Sequence, residues 1–197
     1  MSADVPSDIA LLAAWAGGDG EAGNQLIERH IALVCRFFRN KVALADVEDL
    51  VQQTFLGCLE AHTRYDGRAS MTTFILAIAR NQLFNYYRER RRSPLAERTS
   101  IRDEATSPTG ALARLEDERL LLEALRQVPL DAQVLLELTY GEGMAGNEAA
   151  EVLGVSPSTL HTRLHRAREN LRERVRELAP DRVALVEHAR ELLKREF

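Results

Sequence analysis

Thr159, Arg163, Arg166 and Asn170 recur every three or four residues, which places them on one stripe of a helix. Their hydroxyl, guanidinium and amide groups are the ones that hydrogen-bond base edges and phosphates, and arginine engages both bidentately. Leu160, Leu164, Ala167 and Leu171 fill another stripe of the same helix and supply a core-facing side. A helix built this way suits the major groove. Its N-terminal half carries Ser158, Thr159, His161, Thr162 and Arg163, where base edges are met, with Arg166 on the polar stripe. Arg168 and Arg172, further along, are expected on phosphates, which position a helix without reading sequence.

A further line of chemistry lies upstream. On a helix from about Met71, the residues Phe74, Asn81, Asn85, Arg88 and Arg92 fall on one narrow side. Ile75, Ala79, Leu83 and Tyr86 fall roughly opposite, where a core would be. A ring, two amides and two guanidiniums make a poor core. They suit a nucleic-acid strand, since rings stack on unpaired bases, amides reach base edges and arginines hold phosphates. The segment before it displays Asp46, Glu48, Asp49, Gln52 and Gln53. DNA repels such carboxylates, so a protein partner is expected there. Charge reversal at Asp46 and Asp49 should remove that partner and leave the fold intact.

Other chemistries find no residues. His161 and His165 stand four apart, but no Cys, Asp or third His follows at ligand spacing and no HExxH occurs, so no metal is expected. GxSxG and Walker motifs do not occur, and no dinucleotide-binding element is read. The chain is therefore expected to have no catalytic residue and no cofactor, and not to be an enzyme.

These helices need a scaffold. The 197 residues suit one ordinary domain or two small ones, and 45% hydrophobic against 28% charged residues excludes wholesale disorder. No apolar run approaches the roughly 20 residues that span a bilayer, so no membrane insertion is expected. Met1 to Pro6 carries Asp4 and no basic apolar leader, which predicts no signal peptide and a cytoplasmic location. Cys35 and Cys58 read as buried thiols in a reducing compartment. The net charge is −4, yet arginines cluster at Arg88 to Arg92 and again from Arg163 to Arg176. An acidic chain with local basic patches meets an acidic polymer there and something else elsewhere.

Periodicity reads as helix almost throughout, so the expected class is all-α. One helix runs from Glu21 to Lys41 on Ile27, Ile31, Val34 and Phe38, and another from Asp46 to Ala61 on Val47, Val51, Phe55 and Cys58. After the turn Tyr65-Asp66-Gly67-Arg68, the long helix runs from Met71 to about Arg91. A Ser/Thr/Pro-rich stretch, residues 94–111, reads as a flexible linker between a domain at 1–93 and one at 112–176. The second domain opens with a helix from Leu112 to Gln127 and, after Pro129, one to about Tyr140. A short helix ending at Leu153, the C-cap Gly154, and Ser156-Pro157 opening the next helix together read as a helix-turn-helix. The tail, 177–197, carries an amphipathic stripe of Val186, Ala189 and Leu193.

Three ordered blocks then resemble the extracytoplasmic-function sigma factors, the small two-domain members of the σ70 family. Asp46-Val47-Glu48-Asp49-Leu50-Val51-Gln52-Gln53-Thr54-Phe55 resembles region 2.2. Phe74 through Arg92, with Ile78-Ala79-Arg80-Asn81, resembles regions 2.3 and 2.4. Glu148 to Val155 with Thr159 and Arg163 to Arg168 resembles region 4.2. The chain departs from that pattern at Phe74, where the family often has Trp, and at Ala145-Gly146-Asn147, which replaces a Ser-aromatic-acidic opening. The resemblance implies a specificity subunit for transcription initiation. Its partners would be core RNA polymerase through the β′ and β subunits, promoter DNA, and an anti-sigma factor. By the same resemblance Asp46, Glu48, Asp49, Gln52 and Gln53 meet polymerase, while Phe74, Asn81, Asn85, Arg88 and Arg92 recognise and open the −10 element. Ser158, Thr159, His161, Thr162, Arg163 and Arg166 bind the −35 element. A free-standing helix-turn-helix regulator is the alternative; it explains the second domain and leaves the first without a role.

Overall fold

The computed structural model describes residues 5–92 and 112–188, and every regular element among them is helical. The chain divides into two compact units, Met1–Ile101 and Arg102–Phe197. The expected linker at 94–111 lies outside the described residues, as do Ala189 and Leu193 of the tail stripe.

The first unit holds α1 (Asp8–Ala16), α2 (Gly20–Arg39), α3 (Leu44–Glu60) and α4 (Met71–Arg92). Side-chain caps set where three of them begin. Ser7 accepts the Ala10 N–H, Asp19 accepts the N–H groups of Glu21 and Ala22 at 3.0 and 3.2 Å, and Ser70 accepts that of Thr73. α1 is then tied to α2 by its first acid: Asp8 accepts from Arg29 at 2.7 Å and pairs with His30 at 2.8 Å. Burial pushes the Asp8 carboxyl up, but its two partners outweigh burial and hold it below the usual carboxylate range.

The core of this unit is a seam of Leu26, Val34, Phe38, Cys58, Ile75, Leu76, Ala79 and Leu83, all fully buried. Burial pushes the Cys58 thiol up to about 12, so it is an inert packing group, while Cys35 is only half-buried. Ile31, expected on the inward stripe of α2, is 41% exposed. The stripe is centred on Leu26 and Phe37, and Ile31 sits more than a third of a turn off that centre. Tyr87 of α4 donates to the Lys41 carbonyl, and the buried Lys41 ammonium lies 4.4 Å from the Phe37 ring centroid and donates to the Phe37 carbonyl.

The second unit holds α5 (Leu112–Gln127), α6 (Leu130–Leu136), α7 (Gly146–Leu153) and α8 (Pro157–Leu178), followed by a 3₁₀ segment at Pro180–His188. α6 stops earlier than its periodicity predicts, because Glu137–Gly141 form a π-helical turn. Glu137 is buried there and accepts from Gln133 Nε2 at 3.0 Å. The sequence has G-x-G-x-x-G spacing at Gly18–Gly23 and at Gly141–Gly146. Both follow helical structure rather than a strand, so neither has the setting of a dinucleotide site.

Gly154 takes φ +62°, the left-handed conformation that ends α7, and its N–H reaches the Ala150 and Glu151 carbonyls. Ser156 then caps α8 by accepting the Thr159 N–H at 3.2 Å, with Pro157 in the first turn. α7 starts without a side-chain cap, since Ala145 stands at the N-cap, but Glu148 reaches back to accept the Ala145 N–H at 3.1 Å. Half of a capping box is therefore in place. Ala145→Ser should supply the other half and stabilise the second unit by about 0.5–1 kcal/mol, read as a raised thermal midpoint.

Candidate nucleic-acid interface

The upper end of α4 is organised by the loop in front of it. Tyr65 Oη donates to the Ala69 carbonyl at 2.9 Å, and the Arg68 N–H reaches Asp66 Oδ1 at 3.0 Å, which folds residues 65–69 into a tight arch. Gly67 at the arch takes φ +74°, and a Cβ there would lie 2.8 Å from Ile9 Cδ1. α1 therefore backs this loop. The arch lays the Tyr65 ring on Phe74, with centroids 4.7 Å apart and planes tilted by 31°. Phe74 remains half-buried, so it belongs to an aromatic pair at the edge of the unit and not to the sealed core.

Below Phe74 the expected stripe is present. Asn81 and Arg88 are exposed and Asn85 is half-buried. Asn85 Oδ1 accepts from Arg88 Nη2 at 3.0 Å and Asn81 Oδ1 accepts from Arg80 Nη1 at 3.3 Å, so both contacts engage the amide oxygen and leave the nitrogen as the donor end. Arg92 ends the helix, and its side chain lies outside the described residues. Ile75, Ala79 and Leu83 are buried as their periodicity predicts, whereas Tyr86 is only half-buried and turns toward α3.

That turn changes the reading of Asp46. Its Oδ2 accepts from Tyr86 Oη at 2.5 Å and from Arg90 Nη1 at 2.9 Å, and Arg90 also lies over the Tyr86 ring. Asp46 thus clasps α3 to α4 through Oδ2, with its side chain 38% exposed. A cation at position 46 would sit against Arg90, so reversal there bears on the packing of α4 as well as on the surface of α3. Glu48, Asp49, Gln52 and Gln53 are exposed, with Gln53 Nε2 donating to Asp49 Oδ2 at 2.6 Å. Leu56, one turn on from Gln52 and Gln53, is 49% exposed on the same side. Leu56 is thus a large apolar side chain amid a polar face, off the buried stripe of Val51, Phe55 and Cys58.

On α8, Ser158, Thr159, His161, Thr162, Arg163 and Arg166 are all exposed, while Leu160, Ala167 and Leu171 are buried. The hydroxyls are pre-ordered: Ser156 Oγ bonds those of Ser158 and Thr159 at 3.0 and 2.8 Å, and Thr162 donates to the Ser158 carbonyl at 3.3 Å. Arg168 and Arg172, expected on phosphates, both engage Glu187 of the tail in the free chain. Among the described residues, no group of three or more His, Cys, Asp or Glu could hold a metal ion, and no helix is long and apolar enough to cross a membrane.

Comparison with known proteins matches both units. The family model for sigma-70 region 2 covers residues 26–93, and that for sigma-70 region 4 covers residues 118–171. The chain is 30% identical over 172 residues to the ECF RNA polymerase sigma-E factor of Escherichia coli strain K12, spanning 82% of this chain and 90% of that one. It is 27% identical over 188 residues to the sigma-E factor of Haemophilus influenzae, spanning 89% and 99%. A solved structure of CnrH in complex with the cytosolic domain of CnrY resembles it with a TM-score of 0.62 at 27% identity, over 88% of this chain and 98% of that one.

Proposed function

The chain belongs to the extracytoplasmic-function sigma factors of the sigma-70 family, and from that membership we propose how its two units share the work of initiation. As a sigma factor it directs core RNA polymerase to specific promoters and promotes opening of the −10 element. Its partners are core polymerase, through the β′ and β subunits, and promoter DNA; the solved complex of the sigma factor RpoE with the anti-sigma factor NepR from Bartonella quintana, whose sigma chain this one resembles, supports an anti-sigma factor as a third. It performs no catalysis itself and works in the cytoplasm.

The residue roles follow from the faces described. Glu48, Asp49, Gln52 and Gln53, with Leu56 among them, form the polymerase surface of α3, and Asp46 positions α4 behind it. Phe74 with Tyr65, and the amides of Asn81 and Asn85, take an unpaired strand, with Arg88 and Arg92 on its phosphates. Ser158, Thr159, His161, Thr162, Arg163 and Arg166 read the duplex at the −35 element. The observation that carries this reading is the pairing, in one chain, of a duplex-reading helix with an aromatic-amide-arginine face suited to single strands. A duplex regulator has no use for the second.

Run-off transcription with core polymerase on fragments of the encoding genome tests it. Discrete transcripts that require the chain are expected. Tight duplex binding by the chain alone, with no transcript, overturns the reading in favour of a free-standing regulator. Within α8, Arg163→Ala should weaken promoter binding by about 1–3 kcal/mol and relax base preference at one position if its contact is bidentate. Holoenzyme binding to a −35 substitution series checks this, and equal losses on every sequence would remove Arg163 from the readers.

A further inference from the structure

The 3₁₀ segment Pro180–His188 has no part in the roles above. It lies back along α8, with Val186 only 4% exposed, and Arg182 binds Asp117 and Glu116 of α5. Near its end Glu187 meets two arginines spaced one turn apart on α8. Its Oε1 accepts from Arg172 Nη2, and its Oε2 lies 3.5 Å from Arg168 Nη2. Arg172 also engages Glu169. Two guanidiniums converging on the two oxygens of one anion is an arrangement that equally fits a phosphodiester.

The seat is weakly held. Glu187 is 54% exposed, Arg168 39% and Arg172 27%, so these pairs stay solvated and are screened by salt. The segment itself is anchored elsewhere, by Val186 and by Arg182 on α5, so the carboxylate can swing away while the segment stays in place.

We propose that Arg168 and Arg172 form a binding site for a backbone phosphate of duplex DNA, and that Glu187 occupies this site in the free protein. This rests on the reading that α8 lies on duplex DNA. DNA must displace the tail carboxylate before these two arginines contribute, so the tail lowers duplex affinity. It also makes the salt dependence shallower than the count of arginines on α8 would give.

Anisotropy of the full-length chain with a fluorescent duplex of about 20 base pairs, from about 50 to about 200 mM salt, reads both quantities. Glu187→Gln keeps the shape and removes the charge. It should bind about three- to tenfold more tightly at the lowest salt and steepen the slope of log K against log salt by about 1–2, the contribution of one or two more neutralised phosphates. Replacing Arg168 and Arg172 with Ala in the Glu187→Gln background should abolish that gain, and Arg163→Ala is measured alongside. If Arg163→Ala weakens binding while Glu187→Gln changes neither affinity nor slope, the phosphate site is wrong and the placement of α8 stands. A gain that survives loss of both arginines overturns the site as well, since it is then a general charge effect. A Glu187→Gln chain that melts earlier without binding more tightly makes Glu187 a structural cap, which also overturns it. If Arg163→Ala has no effect either, the placement of α8 falls and the phosphate site with it.

Discussion

Phe74→Ala is expected to assemble with core polymerase as the parent does and to lose open complexes, with transcription restored on a promoter whose −10 element is already unpaired by mismatches. A factor that opens DNA without ATP must bind the separated strand better than the duplex. An aromatic platform contributes roughly 1–3 kcal/mol per stacked base, which corresponds to a loss of about 5- to 150-fold in open complexes when it is removed. Mismatched DNA supplies the unpairing in advance, so the variant recovers. Because Phe74 is half-buried and already stacked by Tyr65, the fold should tolerate the change. The loss of stability should fall below the roughly 3–5 kcal/mol of a fully buried Phe→Ala. If the first unit unfolds, or the mismatched template gives no recovery, Phe74 is a packing residue and the opening role of this face is wrong.

The next largest effect separates two carboxylates that the sequence presents as equivalent. Asp49→Arg should keep the thermal midpoint close to the parent value and reduce core-polymerase affinity by tenfold or more, because a like charge placed against a complementary rim costs several kcal/mol. Asp46→Arg should behave differently. It strips Tyr86 Oη and Arg90 of their shared acceptor and adds a cation beside Arg90. The first unit should lose about 1–3 kcal/mol of stability, seen by thermal denaturation before any binding is measured. A stable Asp46→Arg chain together with an Asp49→Arg chain of undiminished affinity would show that the outward face of α3 meets something other than polymerase.

The helix-turn-helix was legible from sequence because its signals are local. Gly154 must take a left-handed turn, Ser156-Pro157 must open a helix, and Leu160, Ala167 and Leu171 mark the buried stripe within a dozen residues. α1 was missed because Ile9, Leu11, Leu12 and Trp15 stand among alanines, so it is apolar nearly all round and has no period to detect. The early end of α6 depends on a π-helical turn that no residue type announces. The pairs that define the sites are hidden for another reason: Asp46 and Tyr86 are 40 residues apart, and Arg172 and Glu187 are 15 apart. Side-chain periodicity says which way each residue faces but not which partner stands opposite.

The clasp of Asp46 by Tyr86 and Arg90 bears on how this protein can be recombined. α3 carries the surface assigned to polymerase and α4 the surface assigned to the promoter, which invites exchange of one or the other with a relative to alter partner and target separately. The shared carboxylate makes that a joint operation. A grafted α3 without an acid at position 46 leaves a phenol and a guanidinium facing each other, and a grafted α4 without Tyr86 and Arg90 leaves the acid unanswered. The smallest exchangeable part is therefore the α3–α4 hairpin with the arch between its helices, and chimaeras cut inside it must carry all three residues across.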